Sequence, residues 1–397
     1  MPKPHLPLAA LALCASVPAQ TVGPRLALFP SPASTPRVLV VDDDGGPGVD
    51  HTTIEAAVAA ARTGDLIEVR AGGYGFTTID KAVTLMGEPG VNVIRLSVTS
   101  QPSLRPLVIT DLRTSLVVSN CAGPVVFDNS SDPAAYAGGL RGIDVTNSGN
   151  VWLRGMRLEA DATSAITIHD STVFMEDVVV DAPPAAPENQ EGAAGIDVTG
   201  ASLVTLSHSD VLGGTGGCSS SFLPPGDGGP GLAVRDASTA YVLETELEGG
   251  IADTFLCPFI GSDGPALAVS GSARVVSTSD HGLVPSAAFE VEPDFPVLDV
   301  QPSGTQLDLT LHSAPGSVGR VFFGGRPALS GWQGAQITRG CTWRFGDSLG
   351  FLDGQGEGAT SFDARLLPRG SVLVAQGSRT LAGGQTELSA PVLTVIR

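Results

Sequence analysis

A strand pattern repeats from residue 143 onward and limits the possible folds more than any other part of the sequence. Each unit opens with an apolar, a variable and a second apolar residue, passes a small or polar turn, and resumes an apolar alternation. The units start at residues 143, 166, 196, 232 and 267, so successive starts are 23, 30, 36 and 35 residues apart. Short strands recurring at this period without helices between them predict a solenoid whose rungs stack in parallel. The run 107–111 (LVITD) is interpreted as an earlier member of the series.

Strand alternation assigns each triplet residue to one side of its sheet. The first and third residues of the triplets are Ile, Val or Leu, so the face they share must be interior. The middle residue and the residue after each triplet form two outer columns. The first contains Asp144, Thr167, Asp197, Ala233 and Ala268, and the second contains Thr146, His169, Thr199, Arg235 and Ser270.

The stretch before the repeats, residues 38–87, predicts a strand, an Asp/Gly turn, one short helix and further short strands. Thr52 and Glu55 match a capping box, in which each side chain bonds a backbone amide at the helix start. Apolar residues follow at helical spacing, and Gly64 is a suitable stop. These apolar residues are Ile54, Ala57, Val58 and Ala61.

The pattern VDDDGG…TTIEAAVAAARTGDLIEVRAGGY…VTLMGEPG resembles the start of secreted bacterial proteins of the right-handed parallel β-helix (pectin-lyase-like) superfamily. The resemblance covers about residues 38–289. It implies that the short helix closes the N-terminal end of the solenoid, shielding its interior and strand edges. Because this superfamily mixes lyases, hydrolases, epimerases, adhesins and proteins without chemistry, the resemblance implies a fold and leaves the activity open.

A change of pattern after Leu283 indicates a second domain. Pro285, Pro293 and Pro296 mark the boundary, and strands separated by Gly-rich turns follow at 306–311, 318–323 and 371–376. They predict a small antiparallel β-sandwich. We therefore expect an all-β chain with this division: a signal peptide at 1–19, a flexible lead-in at 20–36, a parallel β-helix at 37–289 and a β-sandwich at 290–397.

The N-terminus and the net charge limit where the protein acts and what it binds. Residues 1–19 are typical of a secretory signal peptide, with Lys3, an apolar run at 6–17 and a small-residue exit. That run is too short to span a bilayer, so we expect an extracellular or periplasmic product without a transmembrane segment. A formal net charge of −19 disfavours nucleic acid as a partner and also disfavours anionic polysaccharide unless calcium mediates the contact.

Four insertions precede triplets at equivalent positions, at residues 128–142, 182–195, 213–231 and 249–265. Equivalent positions of a solenoid stack, and loops on one face are the usual binding site of repeat proteins. The alternative is that the loops merely tolerate extra length. The candidate binding residues within them are Glu188, Phe222, Asp227, Phe255 and Phe259. The last two insertions also contain Cys218 and Cys257, predicted to form a disulfide worth roughly 4 kcal/mol.

For an enzyme, the outer columns offer Asp144, His169, Asp197 and Arg235. The two Asp residues would lie two rungs apart, about 9–10 Å from the strand spacing. That is near the separation of paired carboxylates in inverting glycosidases. The alternative is that these polar residues only solvate an outer sheet face. The WIDH-type lyase segment and the NTD…DD…GHG hydrolase set of the superfamily are absent from the sequence.

Two further motifs bear on catalysis and on metal binding. Residues 346–350 (GDSLG) match G-x-S-x-G, but no His follows His312, and we expect a chance match in a Gly-rich turn. No metal cofactor is predicted, since the His residues lack paired spacing and no C-x-x-C occurs. Asp42, Asp43, Asp44 and Asp50 offer calcium ligands or, alternatively, serve the local turn.

These features predict a secreted, non-catalytic β-helix protein that acts as an extracellular or cell-surface scaffold for carbohydrate or protein. The alternative is a polysaccharide lyase or glycoside hydrolase acting on an acidic or neutral glycan. Trp152 and Phe174 are expected to stack on adjacent rungs, either as a sugar platform or as interior packing.

Overall fold

Two long parallel sheets dominate the fold, and the chain passes back and forth between them. The structure is a computed structural model that describes residues 36–101, 105–129, 142–159, 164–182, 184, 191–217, 226–252, 261–281, 288–303, 305–324, 327–330, 339–341, 345–363, 365, 372–380, 384 and 386–395. The predictions for the signal peptide and most of the lead-in lie outside the described residues. All of the described residues belong to one compact unit, residues 35–397.

The first part of the chain contains one short helix and twenty-one strands in the described residues. In chain order they are β1 (Val38–Val41), α1 (Ile54–Ala60), β2 (Leu66–Val69), β3 (Gly72–Ile79), β4 (Thr84–Gly87), β5 (Val91–Thr99), β6 (Leu107–Thr110), β7 (Arg113–Ser119), β8 (Val125–Asp128), β9 (Ile143–Thr146), β10 (Val151–Glu159), β11 (Ile166–His169), β12 (Thr172–Asp181), β13 (Ile196–Thr199), β14 (Leu203–Ser207), β15 (Asp210–Leu212), β16 (Leu232–Val234), β17 (Thr239–Leu243), β18 (Glu246–Glu248), β19 (Leu267–Val269), β20 (Arg274–Ser277) and β21 (Phe289–Val291).

Sheet A runs in the order β1-β2-β4-β6-β8-β10-β12-β14-β17-β20-β21, with β15 and β18 continuing beside β12. Sheet B runs in the order β19-β16-β13-β11-β9-β7-β5-β3. The pairing within both sheets is parallel, and the predicted triplets form β9, β11, β13, β16 and β19 in the predicted register. The interpretation of 107–111 as an earlier triplet is wrong, because β6 belongs to sheet A and pairs with β4 and β8.

The inward-facing Val, Leu and Ile residues of the two sheets form one continuous buried cluster. The triplets contribute their first and third residues, as Ile143 and Val145 do from β9 and Ile196 and Val198 from β13. Val269 of β19 is partly buried and packs against the cluster. A fully buried side chain of this size contributes roughly 1.5–3 kcal/mol by leaving water. The interior is therefore held by many similar aliphatic contributions, as expected of a chain with only 5% aromatic residues.

A ladder of buried serines, Ser148, Ser171, Ser202 and Ser238, marks the turns from β9, β11, β13 and β16 to the next strands of sheet A. The backbone N–H of Ser148 donates to Ser171 Oγ at 3.0 Å, and that of Ser171 donates to Ser202 Oγ at 3.1 Å. Just before these serines, Asn147 and Asp170 adopt positive φ angles of 48° and 46°. Asn, Asp and Gly tolerate this left-handed conformation best, so the sequence places the turn by residue type.

The helix α1 begins one residue later than predicted. Thr53 is the N-cap and accepts the backbone N–H of Ala56 at 3.2 Å, so the capping box on Thr52 is wrong. Glu55 reaches away from the helix start and accepts the hydroxyl of Thr77 at 3.0 Å. The helix buries Ile54, Ala57 and Val58 against β1, β2 and β3. It therefore contacts the end strands of both parallel sheets.

After β21 the strand pairing becomes antiparallel. The strands are β22 (Val297–Ser303), β23 (Gln306–His312), β24 (Val318–Gly324), β25 (Pro327–Ser330), β26 (Arg339–Cys341), β27 (Phe345–Phe351), β28 (Glu357–Asp363), β29 (Val372–Thr380) and β30 (Thr386–Val395). The described strands form two larger sheets, in the orders β22-β23-β28 and β27-β24-β29-β30, and the pair β25-β26. The domain boundary near residue 290 stays a prediction, although the pairing changes close to it.

The C-terminal strands pack on the outer face of sheet A. Outward-facing residues of β6, β8, β10 and β12 form one buried cluster with residues of β29 and β30; its members are Val108, Val126, Trp152, Phe174, Val372, Val374, Leu393 and Val395. The rings of Trp152 and Phe174 do stack, with centroids 4.4 Å apart and planes 19° from parallel. Because this pair is buried under the C-terminal strands, it is not an exposed sugar platform. Within the described residues, no helix is both long and apolar enough to cross a membrane.

Candidate functional site

The outer face of sheet B carries the columns of polar side chains that the sequence predicts. Asp144 lies directly opposite Thr167, which lies opposite Asp197 on the next rung. His169 is likewise opposite Thr199. Asp144, His169 and Arg235 are exposed and Asp197 is half-buried. The four candidate catalytic residues therefore share one outer face on consecutive rungs.

Neighbouring rungs are joined by hydrogen bonds along this face. The hydroxyl of Thr167 donates to the carboxylate of Asp144. His169 Nδ1 lies 3.0 Å from the hydroxyl of Thr199, and its Nε2 lies 3.1 Å from a carboxylate oxygen of Asp170. The polar groups thus form short lateral pairs that leave further donor and acceptor positions open to a ligand.

Asp144 and Asp197 have separate partners. Arg235 Nε lies 3.6 Å from Asp197 Oδ1, too long for a hydrogen bond, and Thr167 stands between the two carboxylates in the column. Burial raises the pKa of Asp197, although Arg235 opposes that shift and Asp236 adds to it. The arrangement can accept hydrogen bonds from hydroxyl donors along this face. It does not bring the two carboxylates together.

A shallow hollow of about 300 Å³ lies beside Asp144 at the N-terminal end of this face. Its apolar rim is formed by Phe76 and Ile94, whose exposed fractions are 68% and 58%. The register between β5 and β7 shifts at Ile94, a bulge that turns this side chain outward. The hollow was not predicted, because the triplet pattern does not extend to β3, β5 and β7. Exposed aromatic and aliphatic side chains beside a turn are only a weak sequence signal for it.

The described parts of the later insertions stack at one corner, as predicted. The N–H of Gly214 donates to the carbonyl of Ala193 at 2.8 Å, and that of Gly229 donates to the carbonyl of Gly214 at 2.8 Å. Gly250 and Gly264 continue the same ladder at 2.7 and 2.8 Å. A Cβ atom at most of these glycines would collide with neighbouring backbone, so the stacking requires glycine for close approach rather than for a positive φ.

The candidate binding residues of the insertions fall mainly outside the described residues. Asp227 is described, and its carboxylate accepts the backbone N–H of Ser262 at 2.7 Å, which fastens one insertion to the next. The residues outside the described part are Glu188, Phe222, Phe255 and Phe259, together with Cys218 and Cys257 of the predicted disulfide. Their roles stay predictions. Cys121, in the described part, is a buried free thiol whose pKa is raised by burial.

The acidic turn after β1 uses its carboxylates locally. Ligand atoms of Asp42, Asp43 and Asp44 lie within 4.8 Å of one another, as a cation would require. Asp42 nevertheless pairs with Arg70 at 3.1 Å, and Asp43 accepts the N–H of Gly73 at 2.9 Å. Asp50 accepts the N–H of Val40 at 2.8 Å. These contacts favour the turn interpretation over calcium binding.

The GDSLG motif lies in a strand, not in the expected turn. Residues 346–350 are part of β27, which pairs with β24 on both sides of the motif. A nucleophile elbow needs a sharp strand-to-helix turn. The placement in a Gly-rich turn is therefore wrong, and the interpretation of the motif as a chance match is retained.

Comparisons with known proteins add little to this geometry. No protein-family model matches the sequence, and no curated protein matches it significantly. Among solved structures, a chain named "Geobacillus virus E2 - ORF18" is similar at a TM-score of 0.19 and 10% sequence identity, covering 89% of this chain and 86% of that one. A likeness this weak leaves both fold and function to be argued from the residues themselves.

Proposed function

We propose that this chain is a secreted right-handed parallel β-helix that acts as a non-catalytic scaffold for an extended, neutral polysaccharide. In this proposal α1 closes the N-terminal end of the β-helix, and the antiparallel strands form a β-sandwich domain lying on sheet A. The ligand lies along the outer face of sheet B. The observation that carries the proposal is the alignment of polar side chains from three successive rungs, β9, β11 and β13, on one outer face of sheet B where Asp144 and His169 are exposed.

The chemistry of this face suits a polymer of sugars. Rungs about 4.8 Å apart present hydroxyl, carboxylate and imidazole groups in rows, which offer repeated hydrogen bonds to an extended, hydroxyl-rich chain. Phe76 at the end of the face provides an exposed ring against which a sugar can pack. The net charge of −19 favours a neutral polymer over an anionic one.

A lyase or glycoside hydrolase is the second candidate, and one observation favours it. The raised pKa of Asp197 is the direction expected of a general acid, and Asp144 lies two rungs away beside the hollow. The separate partners of the two carboxylates support the non-catalytic function. The two functions differ in whether the bound polymer is cleaved.

The test is a binding and turnover screen with the full chain against soluble neutral and acidic polysaccharides. We expect saturable binding of a neutral polymer without release of new chain ends, weakened at least tenfold in Phe76→Ala and Asp144→Asn. Asp210→Asn is the matched control, since Asp210 is an exposed carboxylate on β15, outside sheet B. Equal losses in the control, or no binding at all, would contradict the proposal. Cleavage that is lost in Asp144→Asn and in Asp197→Asn would establish the enzyme instead.

A further inference from the structure

A second cluster of chemically active side chains lies where sheet A meets the C-terminal strands. His208 follows β14, Glu244 follows β17 one rung later, and Asp299 comes from β22. His208 Nε2 is 2.9 Å from Glu244 Oε2 and 2.8 Å from Asp299 Oδ1. One ligand atom from each of the three residues fits within a span of 4.8 Å. Two rungs of the parallel sheet and one antiparallel strand thus converge on a single point.

The local backbone explains why His208 and Glu244 reach this point. Asp177, His208 and Glu244 occupy the same corner of three successive rungs and have positive φ angles of 53°, 47° and 45°. Left-handed backbone is unfavourable for residues other than glycine and recurs where a side chain must be aimed. At this corner it directs His208 and Glu244 out of the sheet toward β22.

Residues of the C-terminal strands hold Asp299 in place from the other side. Its second carboxylate oxygen lies 3.2 Å from His312 Nε2 on β23, and His312 Nδ1 lies 3.4 Å from Glu357 on β28. Carboxylate–histidine chains of this kind orient the ligands of metal sites from outside. The position of Asp299 therefore does not depend on His208 alone.

We propose that His208, Glu244 and Asp299 form a binding site for a divalent transition-metal ion of the zinc class. An imidazole nitrogen with two carboxylates is a donor set that zinc accepts, whereas calcium and magnesium take oxygen ligands. Three protein ligands leave a fourth position for water. Tetrahedral bonds of about 2.0–2.1 Å place ligand atoms about 3.4 Å apart, so the present 2.8 and 2.9 Å contacts must open by about half an ångström.

The three ligands lie on elements that are far apart in the sequence, with His208 and Glu244 beside sheet A and Asp299 on β22. Because the ligands come from both the parallel sheet and β22, the bound ion would hold the C-terminal strands on sheet A.

The test uses the full chain, stripped with a chelator and titrated with Zn²⁺ alone by calorimetry and thermal denaturation. For the wild type we expect one bound ion per chain and a raised melting temperature. His208→Gln and Glu244→Gln should each bind zinc at least tenfold more weakly. The Glu244 side chain is 43% exposed, so its replacement by Gln should leave the fold intact. His169→Gln is the matched control, since His169 is exposed on sheet B and outside the proposed site. This variant should bind zinc as tightly as the wild type does. The absence of saturable one-site binding, or wild-type binding by Glu244→Gln, would overturn the proposal.

Discussion

The stacked glycines make a sharp prediction for Gly229→Ala. A Cβ atom at Gly229 would lie 2.6 Å from the carbonyl carbon of Ala193, with the carbonyl oxygens of Gly192 and Ala193 nearer still. All three obstacles are backbone atoms, which cannot rotate away. Gly229 also donates to the carbonyl of Gly214 at 2.8 Å and accepts the N–H of Gly250 at 2.7 Å, so a shift of this segment strains two hydrogen bonds.

The expected cost follows from those contacts. Forcing one carbon into a close-packed site costs about 1–3 kcal/mol, and a backbone shift adds about 1 kcal/mol for each weakened hydrogen bond. Because alanine has less conformational freedom than glycine in the unfolded chain, the substitution also stabilises the folded state by about 0.4–1 kcal/mol. We therefore expect Gly229→Ala to lower the free energy of unfolding by about 3 kcal/mol.

Equilibrium unfolding in urea, followed by circular dichroism, measures this change as a lower midpoint. Gly149→Ala is the matched control, because a Cβ atom at Gly149 would meet no heavy atom within 4 Å and its φ is not positive. The free energy of unfolding of the control should lie within about 0.5 kcal/mol of the wild-type value or slightly above it. If Gly229→Ala unfolds at the midpoint of the control, the insertions do not stack as described.

Three further substitutions test other parts of the fold. Val58→Asp places a carboxylate in the interior contact of α1 and should cost several kcal/mol; a monomer with an unchanged melting temperature would exclude the closing role of α1. Trp152→Ala removes the ring beneath β29 and β30 and should cost about 3–5 kcal/mol, seen as faster proteolysis of the C-terminal strands; wild-type resistance would contradict that packing. Burial alone would raise the pKa of Asp65, but hydrogen bonds from Arg62 and Arg37 lower it. The carboxylate therefore stabilises the fold above about pH 4, and this stabilisation is lost as the pH falls through the lowered pKa. Asp65→Asn should therefore lower the free energy of unfolding in urea by about 2 kcal/mol at pH 7 and by less at pH 3; an equal loss at both pH values would refute the role of the carboxylate.

The rungs of sheet B were predictable because their signal is local. Period-2 alternation with Ile, Val or Leu at both inward positions fixes the face of each residue, and the repeat then fixes the register, as with Asp144 opposite Thr167. The stacking of the insertions followed from the same repeat. The N-cap was misplaced by one residue because Thr52 and Thr53 are adjacent and chemically equivalent, and the contacts of the next strands decide between them.

The parts that escaped prediction depend on contacts between distant residues. Arg154 donates a hydrogen bond to the carbonyl of Leu393, 239 residues away, and no sequence pattern near either residue predicts this contact. Likewise, His208 and Asp299 show no metal-ligand spacing, since parallel stacking and the docking of β22 bring them together. Local pattern therefore predicts the rungs, and tertiary packing determines which faces are covered and where the polar clusters form.

Hydroxyl-radical footprinting of the native chain distinguishes the outer face of sheet A, which the C-terminal strands cover, from the exposed outer face of sheet B. Phe76, at 68% exposure, should be oxidised rapidly, while Trp152 and Phe174, at 3% and 4%, should stay protected until the protein unfolds. A bound polysaccharide should protect Phe76 and leave the other two rings unchanged. Oxidation of Trp152 in the folded protein as fast as that of Phe76 would show that the C-terminal strands do not cover sheet A.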